Sequence, residues 1–400
     1  MSDTFGGLIG DDGRSVYRLN KALYGLKQAG SQWYKTLSKA LLDFGWTRSR
    51  NDGCLFIRED ANASRSYLLV YVDDIVVVTK DKAEYDRIRT QLNGKFSLKD
   101  LGEARSILGM TVERKDGVTS LCQNGLVNSI LDRFDRHFPV LVRTTPFGKA
   151  TTVYSGEASD WERKVYQQCV GALNHLAQWT RPDISAAVSF ASRHSSNPGP
   201  EHFKAVGRIL GYLLHTADHR LVLAGGGDVK VAVYSDSDWA GDTTDRKSQS
   251  GCIVKVDGRT VAWRSKKQEG VAKSTMDAEY VALSEAVSEM AQVQKLCVEM
   301  KVFDGDKKPV AFCDNQAAIF SVKNPIQQTR AKHIEIKYHF VRDLVERDEL
   351  EVRYIPTEVN AADMLTKGLT KHRHSDLLSL VGVGVVGECP NPVKLPTPTV

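Results

Sequence analysis

Between residues 229 and 370 the chain reads strand, strand, strand, helix, strand, helix, helix, and that order of periodicities limits the folds open to it more than any other feature. VKVAVYSDSD, GCIVKVDG and RTVAWRSK have the composition of strands, and STMDAEYVALSEAV keeps helical spacing. PVAFC is a further strand, and NQAAIFSV and NAADMLTKGL return to helix. Four acids fall where these elements begin or end. Alternation turns Val229, Val231 and Val233 one way and Lys230, Ala232, Tyr234 and Asp236 the other, which leaves Asp236 near its strand's end. Ser274 opens the long helix with Asp277 three residues on, a capping arrangement. Ala282, Ala286, Met290, Val293, Cys297 and Met300 form that helix's apolar stripe, and Glu279 shares it, so its carboxyl is expected to point at the sheet. Asp314 closes PVAFC and opens NQAAIFSV, where free N–H groups favour a carboxylate. Asp363 lies in NAADMLTKGL.

Carboxylates converging from different elements are the hard-oxygen donor set of a paired magnesium site, with manganese as the alternative ion. In such a site one ion activates water and the other stabilises a leaving oxygen during phosphodiester hydrolysis. The competing expectation is that Asp236 and Asp314 cap turns, Asp363 is a solvated helix residue and Glu279 pairs with a lysine such as Lys266. That each of four acids sits at an element end, in this order, favours the metal site.

With 400 residues the chain exceeds what one hydrophobic core organises, so two or three domains are expected. The fold class expected is a multidomain mixture of α/β and α+β. No apolar run approaches a membrane span, so no membrane partner is expected. A net charge of +5 permits polyanionic partners without identifying one. Seven cysteines form no Cys-x-x-Cys pair, and MSDTFGGLIG lacks the apolar core of a secretory signal. A reducing intracellular compartment is the expectation.

Upstream, helical spacing from Leu19 to about Phe44 is interrupted by Gly25 and Gly30, and WYKTLSKALLDFG ends at a glycine suited to a C-cap. CLFIRE, SYLLVYV and IVVVT are strand-like, and Tyr67 to Thr79 reads as a hairpin with Asp73 and Asp74 at its tip. Apolar strands on both sides are expected to make those two carboxylates costly to leave without cations. Residues 82–137 read as an α+β extension of this first domain, and 161–223 as mainly helical. The glycines at 225–227 read as a linker and the Pro-rich end as a tail. The expected domains are therefore 1–148, a helical connector at 149–227, a mixed sheet flanked by helices at 228–370, and a disordered tail at 371–400.

YSDSDWAGD, DRKSQSGC, AWRSKKQ, STMDAEYVALSEA, FCDNQAAI, KHIEIKYHFVRDLV and IPTEVNAADMLTK resemble, in order and spacing, the ribonuclease H domain of copia-type retrotransposon Pol polyproteins. VYRLNKALYGLKQAGSQWY and LLVYVDDIVVV resemble the reverse transcriptase palm of the same family. The resemblance implies a ribonuclease H fold that cuts the RNA strand of RNA–DNA hybrids, with an acid tetrad on Asp236, Glu279, Asp314 and Asp363. It further implies an RNA template and a DNA strand as partners, and a cytoplasmic virus-like particle or the nucleus as the location. PTEVNAAD is short and lacks the histidine that assists product release in bacterial ribonuclease H, so slower turnover is expected.

In the palm-like part the resemblance makes Asp73 a metal ligand and Asp74 its neighbour, and sets Tyr24, Gly25, Lys27 and Gln28 beside template and nucleotide. The family's third aspartate lies on a strand before the point where this chain begins, and Asp3, Asp11 and Asp12 lack its context. No polymerisation by this chain alone is therefore expected. Arg264, Lys266, Lys267 and Asn315 are candidate nucleic-acid contacts, with ordinary basic surface as an equal alternative for the three cations. Two other readings stay open: a non-catalytic nucleic-acid-binding relic, and a piece of a longer, active polymerase.

Overall fold

The structure is a computed structural model that describes residues 7–9, 15–17, 23, 25–59, 64–148, 153–226, 230–303, 307–323 and 332–385, with backbone alone for 7–9, 15–17 and 332–338. The chain forms two compact units, 1–104 and 105–400.

In the first unit, the helix Ala29–Asp43 ends where Gly45 takes a φ of +83°, and the amide of Trp46 bonds back to Leu41 O. Four antiparallel strands follow in sequential order, Thr47–Arg48, Leu55–Glu59, Arg65–Tyr71 and Asp74–Val78. Ser66, Leu68 and Val70 alternate inward. Leu68 and Val70 pack with Leu37, Leu41, Phe56, Ile88 and Leu92 beneath the sheet. Asp81 caps the closing helix Lys82–Asn93 by accepting from the Ala83 amide at 3.0 Å.

The second unit begins earlier than the expected boundary near 148. Strand Val118–Cys122 pairs with Met110–Lys115 on one side and with Arg220–Leu223, a hundred residues on, on the other. This long-range pairing, which no local pattern announces, ties residues 105–148 to the helices Asp160–Trp179, Ser185–Ser192 and Pro200–His215. Val127, Ile130, Phe134, Leu173, Val206 and Leu210 share one core there.

Beyond residue 230 a five-stranded sheet runs in the order Arg259–Lys267, Gln249–Val256, Val231–Asp238, Val310–Cys313, Glu351–Tyr354. Its first three strands are antiparallel, and the last two run parallel to Val231–Asp238. Asp257 and Gly258, both with positive φ, make the tight turn between Gln249–Val256 and Arg259–Lys267. Val231 and Val233 face the long helix Thr275–Glu299 with Leu283, Ala286 and Met290. Ala232 and Tyr234 face the other side, under Ala362, Met364, Leu365, Leu377 and Val381. The predicted alternation of that strand is therefore what assembles two cores. This three-antiparallel, two-parallel sheet with helices on both faces is the mixed sheet flanked by helices expected of this region.

The expected tail is corrected as well. The chain does not become a loose tail at residue 371: Lys371–Val381 is a helix capped by Thr370, Leu377 and Val381 are fully buried, and Val383–Gly384 pairs with Arg220–Leu223. The apolar spacing of LLSLV outweighs the proline-rich stretch that follows it.

Candidate active site

Asp236 is the sixth residue of Val231–Asp238 and is 3% exposed. Its cross-strand partner is Gly251. A Cβ at Gly251 would lie 2.8 Å from atoms of Leu365 and Thr366 and 2.9 Å from Ala362 O, so the glycine is what lets the turn Ala361–Leu365 close over the sheet. Asn360 anchors this turn, donating from Nδ2 to Ser235 O at 2.9 Å and accepting from the Ala362 amide at 3.2 Å. Asp363 is thereby carried to Asp236, and the Thr366 hydroxyl donates to Asp236 Oδ2.

Glu279 comes from the opposite face of the sheet. Ser274 caps its helix, accepting from the Asp277 amide at 3.1 Å. Glu279 reaches the end of the sheet, where its Oε1 accepts from the Ser237 amide at 3.1 Å and from the Ser237 hydroxyl at 3.0 Å. The residue next to Asp236 in the chain thus holds Glu279. Asp314 follows Val310–Cys313, and its Oδ2 accepts from Thr357 Oγ1 at 2.8 Å. Glu279 and Asp314 have ligand atoms within 4.8 Å of one another, and the charges of Asp363 and Asp314 both act on Asp236. The alternative pairing of Glu279 with Lys266 is not made; Lys266 pairs with Glu269 at 3.2 Å.

Burial dominates the electrostatics. It pushes the Asp236 carboxyl up to about 7, with Lys367 opposing the shift and Asp363 and Asp314 adding to it. It pushes Glu279 up to about 9, with Asp236 and Asp314 adding and the two bonds from Ser237 opposing. Asp363 keeps its charge company: Lys367 Nζ lies 2.6 Å from Oδ1, and Arg373 Nη2 and Nε lie 3.1 and 3.2 Å from Oδ2. Arg373 also donates to the carbonyls of Thr357 and Glu358, fixing the loop whose Thr357 holds Asp314.

A divalent cation fits these residues. Glu279 Oε2 is buried with no hydrogen-bond partner, and ligand atoms of Glu279, Asp314 and Cys313 lie within 4.8 Å of one another. The oxygens suit magnesium or manganese. Burial pushes the Cys313 thiol up, so it remains protonated and a poor ligand for a hard ion.

The palm-like residues differ. Asp73 and Asp74 do sit at the tip of the hairpin, where Tyr71 pairs with Asp74, but both are exposed. The expectation that flanking apolar strands make them costly to leave bare is corrected, because the tip projects beyond the buried part of the strands. Trp33 Nε1 donates to Val72 O at 2.6 Å and steadies the turn. Gly25, with φ +92°, and Lys27 and Gln28 are exposed ahead of Ala29–Asp43. Tyr24 lies outside the described residues.

Of the other candidate contacts, Arg264 pairs with Glu289 at 2.5 Å, and Lys267 with Asp242 at 2.5 Å and Asp245 at 2.9 Å. Arg264 and Lys266 also line a cavity of about 540 Å³ with Asn174, Gln178 and Ser189. Asn315 Oδ1 accepts from the Ala318 amide at 2.9 Å and caps its helix. Ser237, Gly251, Thr357, Thr366, Lys367 and Arg373 were not singled out from sequence. Only Lys367, four residues beyond Asp363, carries a local signal.

A profile described as reverse transcriptase (RNA-dependent DNA polymerase) matches residues 1–145. The chain is 36% identical over 376 residues to the retrovirus-related Pol polyprotein from transposon TNT 1-94 of Nicotiana tabacum, covering 92% of this chain and 28% of that protein. It is 37% identical over 385 residues to the Pol polyprotein from transposon RE1 of Arabidopsis thaliana, covering 96% of this chain and 26% of that protein. A foamy viral protease-reverse transcriptase in complex with an RNA/DNA hybrid superposes with a TM-score of 0.46 at 13% identity, over 86% of this chain and 39% of that one. The chain is related to the copia-type retrotransposon Pol polyproteins over nearly all of its length, and its first 145 residues match the reverse transcriptase family. It spans about a quarter of the length of those curated relatives.

Proposed function

We propose that this chain hydrolyses the RNA strand of RNA–DNA hybrids at a divalent-cation site built from Asp236, Glu279, Asp314 and Asp363. The observation that carries this reading is the buried Oε2 of Glu279, which has neither hydrogen bond nor ion pair and stands near Asp236 and Asp314, whose charges raise the proton affinity of Glu279. Burying such charges is costly without a cation, so their convergence is expensive unless it serves one. Two magnesium ions held there would supply an activated water and stabilisation of the leaving oxygen.

The chain's own residues set the geometry. Ser237 fixes one oxygen of Glu279 and leaves the other free, Thr366 orients Asp236, and Thr357 orients Asp314. Arg373 locks Asp363 to the loop that carries Thr357, so one guanidinium coordinates the placement of two acids. The hybrid substrate is inferred from the relation to Pol polyproteins.

For the palm-like unit, we infer no primer extension by this chain alone. Asp73 and Asp74 are exposed, and among the described residues no group of three ligating side chains includes them. Extension of a DNA primer on an RNA template by purified protein would refute that inference. The nuclease reading is tested with a labelled RNA–DNA hybrid and the full chain, because a fragment ending at residue 371 would remove Arg373. Cleavage in magnesium that chelation abolishes is expected; an intact hybrid at micromolar protein would refute it.

A further inference from the structure

The four carboxylates divide into an open half and a closed half. In the open half, Glu279 and Asp314 have ligand atoms within 4.8 Å of one another, and among the described residues neither takes part in an ion pair. In the closed half both oxygens of Asp363 face cations: Lys367 Nζ lies 2.6 Å from Oδ1 as an ion pair without hydrogen-bond geometry, and Arg373 holds Oδ2 at 3.1 Å, whereas Glu279 Oε2 has neither hydrogen bond nor ion pair. Lys367 follows Thr366, whose hydroxyl holds Asp236, so residues 366 and 367 together cover both acids.

The two cations on Asp363 are not equivalent. Arg373 is tied down by two backbone carbonyls as well as by the carboxylate. Lys367 has a side chain 39% exposed, against 3% for Asp363, and it enters from solvent on a flexible four-carbon stem. A compact point charge of this kind can leave without unmaking the loop. Its field also reaches Asp236 and Asp238.

We propose that Lys367 is a resident cation that gates the second divalent ion, holding Asp363 beside Asp236 until that ion takes the ammonium's place. This rests on reading the carboxylate quartet as a divalent-cation site. The first ion then enters at Glu279 and Asp314, where nothing has to be displaced. The second must release Lys367 from Asp363 Oδ1, so it binds more weakly, and Lys367 sets the difference. Loss of the charge removes that competition.

The test is a manganese titration of the full chain without nucleic acid, with free ion read by electron paramagnetic resonance. Wild type should show one tighter and one weaker ion. Lys367→Met should tighten the weaker ion roughly tenfold, since a like charge a few ångströms away is removed, and leave the tighter one nearly unchanged. Lys367→Arg, which keeps the charge, should behave as wild type. Lys367→Gln serves as a second neutral variant if the methionine protein melts early by circular dichroism. A weaker-ion affinity that is unchanged or reduced in the neutral variants overturns the gate. Asp236→Asn separates the two ideas: if it lowers manganese binding while neutral Lys367 variants do not tighten it, only the gate fails. If it leaves binding intact, the underlying cation site fails as well.

Discussion

Two groups of acidic residues in this chain illustrate how position decides chemistry. Asp73 and Asp74 are adjacent in sequence, at a hairpin tip, and wholly in water's reach. Asp236, Glu279 and Asp363 are each under a tenth exposed and come from separate elements, with the charge of Asp363 acting on Asp236 and that of Asp236 acting on Glu279. Adjacency gives a turn that solvent satisfies; burial raises the proton affinities of Asp236 and Glu279 far above their ordinary values and leaves Glu279 Oε2 and Asp363 Oδ1 without a hydrogen-bond partner. Only the second arrangement creates a free-energy deficit that a divalent cation would remove.

The sharpest contrast in stability should come from ion pairs. Arg181 and Asp183, both within 2% of full burial, form a bidentate pair that Tyr212 and Thr216 complete. Arg181→Ala strands a buried carboxylate and should cost about 3–5 kcal/mol in urea unfolding of the second unit. The solvent-facing Arg65–Glu59 pair of the first unit, replaced in the same way, should cost about 0–1 kcal/mol. Equal losses would break the comparison.

Titration sharpens it further. Asp236 and Glu279 rise from 3.8 and 4.5 to about 7 and about 9. The folded chain therefore holds more protons than the unfolded one between those values, and metal-free stability should fall as pH rises from about 4 to about 9. Magnesium, which binds the deprotonated acids, should flatten that fall, as melting temperatures at pH 5 and pH 9 with and without the ion would show. No comparable slope is expected in an Asp236→Asn, Glu279→Gln protein.

Smaller effects test the supporting contacts. Gly251→Ala places a methyl against Leu365, Thr366 and Ala362, and should cost about 1–3 kcal/mol while weakening manganese binding, because the turn carrying Asp363 is lifted. Asp73→Asn should change unfolding by no more than about 0.5 kcal/mol and leave hybrid cleavage as in the parent.

What the sequence disclosed follows the range of each interaction. The Tyr67–Thr79 hairpin and the inward aim of Glu279 were legible, because alternation and a helical stripe are local patterns. The helix after Lys371 was hidden behind a proline-rich neighbour, although Leu377 and Val381 keep its spacing. Thr366 on Asp236 and Gly251 under Leu365 join residues more than a hundred positions apart, and nothing local in either segment marks the contact. The strand pairing of 118–122 with 220–223, which moves the division of the chain to residue 104, was hidden for the same reason.

The most direct test is cleavage of a labelled RNA–DNA hybrid by the full chain beside its Asp236→Asn variant, with magnesium and with chelator. Magnesium-dependent cutting of the RNA strand, reduced roughly a thousandfold or more in the variant, is what the carboxylate quartet predicts. Equal cutting by both proteins, or none by either, would contradict it.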